Sequence, residues 1–221
     1  AERMGVAQKL KAGEYRIEDY TTPRDLLQAI ADGRVIQYRV TILEGSRFRE
    51  LRAALAQVEE LTPTIGGLSD TEVLERVGAT EKHAEGLFLP DTYFFPRGFS
   101  DVDLLKRAYW AQKKLLEQLW EDRAPELPLA DSYQALILAS VVEKETGRAV
   151  ERPEIAGVFV NRLRLGWRLQ TDPTVIYGLG DAFDGNLRRR DLQTDTPFNT
   201  YTRGGLPPTP IAMPGRAALF A

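Results

Sequence analysis

The sequence predicts an α+β fold, in which a small β-α-β module precedes a mostly helical domain with a few strands and long irregular loops. Three observations lead to this prediction. Residues 12–45 alternate between strand and helix patterns, residues 101–163 carry apolar side chains at helical spacing, and residues 188–221 are rich in proline, glycine and polar side chains. A chain of 221 residues is long enough for one large domain or two small ones.

The front module is predicted to contain a strand, a helix and a second strand. In GEYRIED, apolar and charged side chains alternate as they do in a half-buried strand. Thr22 and Pro23 open the helix, with proline at its first position, and VIQYRVTIL forms the second strand before Glu44 and Gly45. A unit of this size buries little apolar surface, so we expect it to pack on the rest of the chain.

The next part of the chain is predicted to be helical, with one exception. Helices are indicated over residues 48–60, over TEVLERVG and over a long amphipathic stretch after Ser100. Between them, EGLFLPDTYFFPRG contains two prolines and four aromatic residues, a composition that bars a helix. Its aromatic side chains either clamp the core or form the wall of a groove for sugar rings, and both interpretations stay open.

The helix around which the chain is organised is predicted over residues 131–147, DSYQALILASVVEKETG. Asp131 can cap its start, with Gln134 three residues later, and Gly147 is a natural end. Apolar side chains surround most of its circumference, which indicates a buried helix. Glu143 shares a face with small uncharged residues, whereas Glu145 points to nearly the opposite side.

The position of Glu143 favours the chemistry of a general acid. Apolar surroundings and the negative end of a helix dipole both disfavour an ionised carboxylate, and so raise its pKa. A raised pKa lets a carboxylic acid donate a proton near neutral pH. The alternative is a capped helix end at which Glu-Lys-Glu is merely solvated.

After this helix the sequence predicts one more helix and a long irregular tail. Pro153 can start the helix and Gly166 can end it, and LQTDPTVIYG is then predicted to be an extended segment with a polar hinge. From Arg188 onward the chain is rich in turns. Long irregular stretches within a compact domain are more often functional than idle.

Composition excludes several classes of chemistry. The net charge of −3 gives no general attraction to nucleic acid or to an anionic membrane surface. The chain has no cysteine and one histidine, His83, which lies in a polar run typical of the surface. Thiol nucleophiles, cysteine or histidine metal sites and a histidine triad are therefore excluded, and we expect no metal and no cofactor. No apolar run approaches the roughly 18 residues of a membrane span.

Three ordered motifs resemble the YceG-like family: ILASVVEKETG, VFVNRLRLGWRLQTDPTVIYGLG and PFNTYTRGGLPPTPIAMPG. EGLFLPDTYFF resembles the segment ahead of that family's catalytic region, and the module that ends in VTILEG resembles its small LysM-like module. The resemblance implies a LysM-like module over residues 1–45 and a transglycosylase catalytic domain over residues 46–221. We expect the first to be truncated at its N-terminal side and the second at its C-terminal side.

Members of this family are endolytic murein transglycosylases. The resemblance thus implies an enzyme that cuts the β-1,4 bond between N-acetylmuramic acid and N-acetylglucosamine within peptidoglycan strands. Its product would end in a 1,6-anhydro sugar, and the cut would terminate the elongation of a nascent strand. A single-pass inner-membrane protein is also implied, with an anchor absent from this chain and this part in the periplasm. Glycan strands and cell-wall synthesis proteins are the implied partners.

The family pattern also implies roles for individual residues. The first glutamate of the VEKE motif, Glu143, corresponds to the catalytic one, in agreement with the choice made from the helix face. Arg152 and Arg162 either meet peptide carboxylates or pair with Glu151 and Glu154. Binding of the sugars is implied for a set of loop residues, whose alternative is a local role in turns and loop backbone: Gln170, Asp172, Tyr177, Asn199 and Tyr201.

Three functions stay open. In a lytic transglycosylase, Glu143 protonates the glycosidic oxygen and then, as a carboxylate, takes the proton of the C6 hydroxyl that attacks C1. A muramidase-type hydrolase needs a second carboxylate, from Glu145, Glu151 or Asp172, and leaves reducing ends. A non-catalytic peptidoglycan-binding protein would hold the strands without cutting them.

Overall fold

The computed structural model describes residues 10–221, so residues 1–9 of the predicted front module lie outside the described residues. Helices and two short strands make up the described part. The helices are α1 (Pro23–Asp32), α2 (Phe48–Leu55), α3 (Asp70–Val77), α4 (Asp101–Glu121), α5 (Ser132–Glu145), α6 (Arg152–Arg164), α7 (Asp172–Leu179), α8 (Arg189–Gln193) and α9 (Arg216–Phe220), and the strands are β1 (Tyr38–Thr41) and β2 (Thr92–Phe95). This combination confirms the α+β class.

The front module differs from the prediction. Its helix α1 starts as expected, because Pro23 occupies the first turn and the Thr22 side chain accepts a hydrogen bond from the Asp25 N–H at 3.2 Å. The predicted strand over GEYRIED is wrong. Residues 13–18 form no ladder, although the Ile36 N–H donates to the Glu14 carbonyl oxygen at 2.8 Å. The β-α-β arrangement of a LysM-like module is therefore not confirmed.

The second predicted strand, β1, pairs with β2 instead. The pairing is antiparallel, with Tyr38 opposite Phe95. The partner strand lies in the aromatic segment EGLFLPDTYFFPRG, where Phe88, Tyr93 and Phe95 are buried while Phe94 is exposed. This alternation is the period of a strand with one face on the core. Three of the four aromatic side chains thus belong to the core, as in the clamp interpretation.

Helix α5 lies between two groups of core side chains, which confirms its predicted central position. Leu136 packs with the first group, formed largely by residues 42–109, and Val141 and Val142 pack with the second, formed largely by residues 138–218. The Asp131 carboxylate caps the start by accepting the Gln134 N–H at 2.8 Å. The helix ends at Glu145 rather than at Gly147, because the backbone of Thr146 is already extended.

Helix α6 begins and ends close to the predicted positions, but the segment after it was predicted wrongly. Only the first three residues of LQTDPTVIYG lie outside a helix, and Asp172 begins helix α7. The Asp172-Pro173 pair forms the first turn of a helix, where proline is well tolerated because its missing N–H has no intrahelical partner. Thr174 and Val175 are buried on the inner side of α7.

The longest helix, α4, confirms its prediction as an amphipathic cover of the core. The Ser100 hydroxyl caps it by accepting the Asp103 N–H at 3.1 Å, and Leu104, Leu105 and Ala108 are buried on its inner face. Among residues 10–221, no helix is both long and apolar enough to cross a bilayer.

Candidate active site

Glu143 lies at the C-terminal end of α5, and only 8% of the residue is exposed. Both oxygens of its carboxylate accept a hydrogen bond. The Arg152 Nη2 donates to Oε1 at 2.7 Å, and the backbone N–H of Gly215 donates to Oε2 at 2.9 Å. The carboxylate thus joins the end of α5 to the start of α6 and to the chain just before α9.

Arg152 is as buried as the glutamate that it holds, with 5% of the residue exposed. Its Nη2 lies 2.7 Å from Glu143 and 3.6 Å from the Oε2 of Glu44. The predicted pairing with Glu151 or Glu154 is therefore wrong for Arg152, and contact with a peptide stem stays a prediction. Glu151 pairs with Arg148 and accepts the Thr146 hydroxyl hydrogen bond instead.

The environment of Glu143 combines two opposing effects on its pKa. Burial raises the pKa above its ordinary value, and the negative charge of Glu44 acts in the same direction. The Gly215 N–H and the positive charge of Arg152 favour the ionised form and lower the pKa. Burial is the largest contribution, so the pKa of Glu143 is raised overall, as the sequence predicted.

Gly215 has a steric reason to be glycine. A Cβ atom at this position would overlap the carboxylate of Glu44, which lies against the Gly215 backbone. The absence of a side chain lets the backbone N–H of Gly215 reach Glu143 while Glu44 approaches Arg152. The loop after β1 and the segment before α9 thereby meet at the predicted catalytic residue.

Four of the five predicted sugar-binding residues lie in two neighbouring segments, with Gln170 just before α7, Asp172 at its start, and Asn199 and Tyr201 in the loop after α8. The Gln170 N–H donates to the Thr200 carbonyl oxygen at 3.1 Å, and the Tyr201 hydroxyl donates to the Asp172 carboxylate at 2.6 Å. Gln170 has a φ of 52°, an unusual backbone conformation for a residue other than glycine. Such outliers concentrate at functional sites.

Asn199, the fourth of these residues, is fully buried. Its Nδ2 donates to the carbonyl oxygens of Asp191, Leu192 and Thr194 at 2.7–3.2 Å, and its Oδ1 accepts the Tyr201 N–H at 2.9 Å. The side chain therefore ties the loop together from inside, as the alternative interpretation of the sequence stated.

We expect Asn199→Ala to lower the free energy of unfolding by about 2–3 kcal/mol, because a fully buried side chain and its hydrogen bonds to four backbone groups would be lost. Urea unfolding monitored by circular dichroism measures this difference. Asn161→Ala is a matched control, since Asn161 is exposed on α6 and should change stability little. Equal stability of Asn199→Ala and wild type would contradict the bracing role.

Tyr177, the fifth predicted residue, lies in a separate cleft of about 690 Å³. Its hydroxyl donates to Oε2 of Glu85 at 3.1 Å, and the Phe48 N–H donates to Oε1 at 2.9 Å. Burial raises the pKa of Glu85 to about 7, and the two hydrogen bonds oppose this only in part. His83 lies at the rim of the same cleft and is exposed, as predicted.

The raised pKa of Glu85 predicts a pH-dependent stability. The pKa of Glu85 in the folded state is about 7, above the ordinary 4.5. The contribution of Glu85 to the free energy of unfolding is therefore fully present below pH 4.5 and is lost as the pH rises through 7. We expect the stability of wild type relative to Glu85→Gln to fall by roughly 3 kcal/mol between pH 4.5 and pH 8. Urea unfolding of both proteins at several pH values measures this.

Glu14 provides a control of opposite sign. The Tyr38 hydroxyl and Arg97 hold the pKa of Glu14 below its ordinary value, so its contribution is present above that value and is lost as the pH falls. The difference in free energy of unfolding between wild type and Glu14→Gln should therefore become smaller as the pH falls. A constant difference between wild type and Glu85→Gln across the pH range would contradict the prediction.

The model of the YceG-like family matches residues 1–221. This chain belongs to the YceG-like family. The three motifs on which the resemblance rests lie in α5, in α6 and α7, and in the loops before α9.

Two relatives of this YceG-like chain carry the name endolytic murein transglycosylase. The protein from Bacillus subtilis (strain 168) is 28% identical over 229 residues, which cover 96% of this chain and 63% of the relative. The protein from Streptococcus pneumoniae serotype 2 (strain D39 / NCTC 7466) is 26% identical over 243 residues, covering 95% of this chain and 44% of the relative. The chain thus spans between about half and two thirds of the length of these relatives.

A crystal structure of a protein from Listeria monocytogenes described as yceG-like has the same fold. It superposes with a TM-score of 0.65 at 26% identity, and the match covers 98% of this chain and 77% of the other. The fold of this YceG-like chain is therefore shared with an experimentally solved relative.

Sequence reasoning missed the partners of Glu143 and the buried carboxyl group of Glu85. Glu85 directly precedes Gly86 and the apolar run LFLP, a position that could have suggested its burial. Glu44 follows the apolar run of VTIL but is exposed, so no burial signal could have identified it. The pairing of Arg152 with Glu143 carries no comparable signal, because it depends on how α5 and α6 pack.

Proposed function

We propose that this YceG-like protein is an endolytic lytic transglycosylase that cuts peptidoglycan strands between N-acetylmuramic acid and N-acetylglucosamine. The observation that carries the proposal is the environment of Glu143. Its carboxyl group is buried, with a raised pKa, yet it is held by Arg152 and the Gly215 N–H, which stabilise its ionised form. A single group in such a balance can act first as an acid and then as a base.

The first step is protonation of the leaving group. Glu143 gives its proton to the glycosidic oxygen while the bond from that oxygen to C1 of the muramyl residue breaks. Burial favours the neutral acid that this step needs. Glu44 also favours the neutral acid, because its negative charge lies close to Arg152 and opposes ionisation of Glu143.

The second step closes the anhydro ring. The C6 hydroxyl of the same muramyl residue attacks C1, and the Glu143 carboxylate takes the hydroxyl proton, which restores the acid. Arg152 and the Gly215 N–H stabilise the carboxylate between the two steps. Because the nucleophile belongs to the substrate, proximity replaces an activated water and a second carboxylate.

The predicted sugar-binding residues take two kinds of role in this proposal. Gln170 and Tyr201 lie in loops and Asp172 begins α7, and all three are exposed or partly exposed, so hydrogen bonds to the N-acetyl and hydroxyl groups of the substrate can form there. Asn199 acts as a positioning residue, since its hydrogen bonds hold the loop that carries Tyr201. Tyr177 belongs to the cleft that contains Glu85.

The hydrolase alternative needs a second carboxylate. Glu145 accepts the Thr171 hydroxyl at 2.5 Å, Glu151 pairs with Arg148, and Asp172 accepts the Tyr201 hydroxyl. Each of these carboxylates has a partner of its own, and none of them touches Glu143 among the contacts of residues 10–221. Because the two carboxyl groups of a hydrolase lie about 5–9.5 Å apart and need not touch, the products of the reaction distinguish the two mechanisms.

The remaining parts of the proposal follow from the family. We propose that residues 46–221 act as the catalytic domain and residues 1–45 as a LysM-like module of modified form. We also propose that the protein works on the periplasmic side of the inner membrane, where cutting a nascent strand beside the wall-synthesis proteins would end its elongation.

The test is mass spectrometry of uncrosslinked glycan strands after incubation with the protein. We expect internal cuts and muramyl residues with 1,6-anhydro ends. Reducing ends would show hydrolysis and favour the two-carboxylate alternative. Strands that are bound in a sedimentation assay but stay uncut would show a peptidoglycan-binding protein.

A further inference from the structure

The cleft that contains Glu85 continues toward the C-terminal end of α5, where Lys144 lines it. A second cleft of about 360 Å³ shares Arg47, Arg49, Tyr177 and Gly180 with the first, so the two form one groove. Lys144 lines the second cleft and directly follows Glu143 in the sequence. The groove thus begins at the rim formed by Lys82 and His83 and leads to the end of α5.

The groove is lined by the cationic side chains of Arg47, Arg49, Lys82 and Lys144 and by the carboxyl groups of Glu50, Asp70 and Glu85. Ion pairs beside it join Arg49 to Asp181 and Arg52 to Asp70, and within residues 10–221 no ion pair includes Arg47 or Lys82. Because burial raises the pKa of Glu85 to about 7, its carboxyl group offsets this charge only in part at neutral pH.

Arg47 is held in place by an aromatic ring. Its guanidinium carbon lies 5.0 Å from the centre of the Tyr177 ring. The Tyr177 ring packs edge-on against Phe198, with 4.8 Å between ring centres, and its hydroxyl donates to Glu85. The guanidinium is therefore oriented at the groove and forms no ion pair among the described residues, although its charge acts on the nearby Glu85. Oriented guanidinium groups are the preferred protein ligands of carboxylates.

We propose that Arg47 forms the subsite for the carboxylate-bearing substituent of a muramyl residue, with Tyr177 and Glu85 as positioning residues. The inference rests on the proposed function, because it takes the substrate class from it. Muramic acid differs from N-acetylglucosamine by its lactyl group, which carries either a free carboxylate or a peptide with carboxylates. The subsite would then fix which of the two alternating sugars lies next to Glu143.

The test measures ligand binding by calorimetry in a Glu143→Gln background, so that the ligand is not consumed. The probes are denuded glycan fragments with a free lactyl carboxylate, the same fragments with peptide stems, and neutral chitin oligosaccharides. We expect Arg47→Gln to weaken binding of the carboxylate-bearing fragments about tenfold, the loss of one charge-assisted contact, and to leave the neutral ones unchanged. Which of the two charged fragments loses more identifies the carboxylate that is bound.

Arg97→Gln is the matched control, because the Arg97 guanidinium also lies 5.0 Å over a tyrosine ring, that of Tyr38, but outside the groove. It should leave all affinities unchanged. Tyr177→Phe keeps the ring and removes the hydrogen bond to Glu85, so it should lower the affinity for the carboxylate-bearing fragments, by a smaller factor than Arg47→Gln does. Tyr38→Phe should leave that affinity unchanged.

Equal weakening of charged and neutral ligands by Arg47→Gln would overturn the proposal, since it would show a structural role for Arg47. Unchanged binding of the charged fragments, or no binding of them in the Glu143→Gln background, would also overturn it. Cleavage by wild type is scored separately. Uncut strands together with the expected binding pattern would reject the proposed activity and retain the subsite.

Discussion

Glu143→Gln is expected to lower the rate of anhydro-end formation by about 10²–10⁴-fold, the typical contribution of a general acid or base. Glutamine keeps the shape of the side chain and can still accept the Gly215 N–H, but it has no proton to give to the glycosidic oxygen. The fold should persist, because Arg152 keeps a carboxylate, that of Glu44, at 3.6 Å. Circular dichroism and product analysis of the same sample measure both effects.

Glu145→Gln is the matched control for this change. Glu145 lies on the same helix two residues later, is exposed, and accepts the Thr171 hydroxyl rather than the Arg152 guanidinium. It should keep most of the activity. Anhydro ends formed at the wild-type rate by a folded Glu143→Gln protein would remove Glu143 from the catalytic role.

Arg152→Met is expected to have the largest effect on stability. It removes the cation between Glu143 and Glu44, and breaking a buried ion pair by deleting one partner costs about 3–5 kcal/mol. The already raised pKa of Glu143 should rise further. A raised folded pKa contributes stability below the unfolded pKa and loses it as the pH rises through the folded pKa. The destabilisation should therefore be larger at pH 8 than at pH 5.

Urea unfolding of Arg152→Met at the two pH values tests this dependence. Arg148→Met serves as the control, since Arg148 is exposed and pairs with Glu151 at the surface, where ion pairs contribute little. An equal loss of stability at pH 5 and pH 8 would contradict the account, because it would mean that ionisation of Glu143 does not matter to the folded state.

The parts of the fold that the sequence predicts correctly are those that local patterns determine. The apolar circumference of α5, its Asp131 cap and the amphipathic face of α4 all depend on residues close together in the chain. The pairing of β1 with β2 joins segments that are far apart in sequence, so no local pattern identifies it. In α7, the Asp172-Pro173 pair is compatible with a turn or with a helix start, and tertiary packing decides for the helix.

In the candidate site, too, some residues could be predicted from the local sequence and others could not. Glu143 could be predicted because burial and position on the helix are encoded within α5 itself. Its neighbours Arg152, Glu44 and Gly215 come from three distant segments that only the folded chain brings together. The groove formed by Arg47, Glu85 and Tyr177 is likewise assembled across the chain. Residues of this kind become visible as candidates only once the packing is known.

The most direct measurement for the central claim is mass spectrometry of the products formed in H₂¹⁸O. The proposed mechanism uses Glu143 alone, and in it the C6 hydroxyl of the substrate, not water, attacks C1. It predicts 1,6-anhydro muramyl ends that contain no ¹⁸O and that are missing from the Glu143→Gln reaction. Reducing ends that carry one ¹⁸O atom would contradict it, since they require attack by water and therefore a hydrolase.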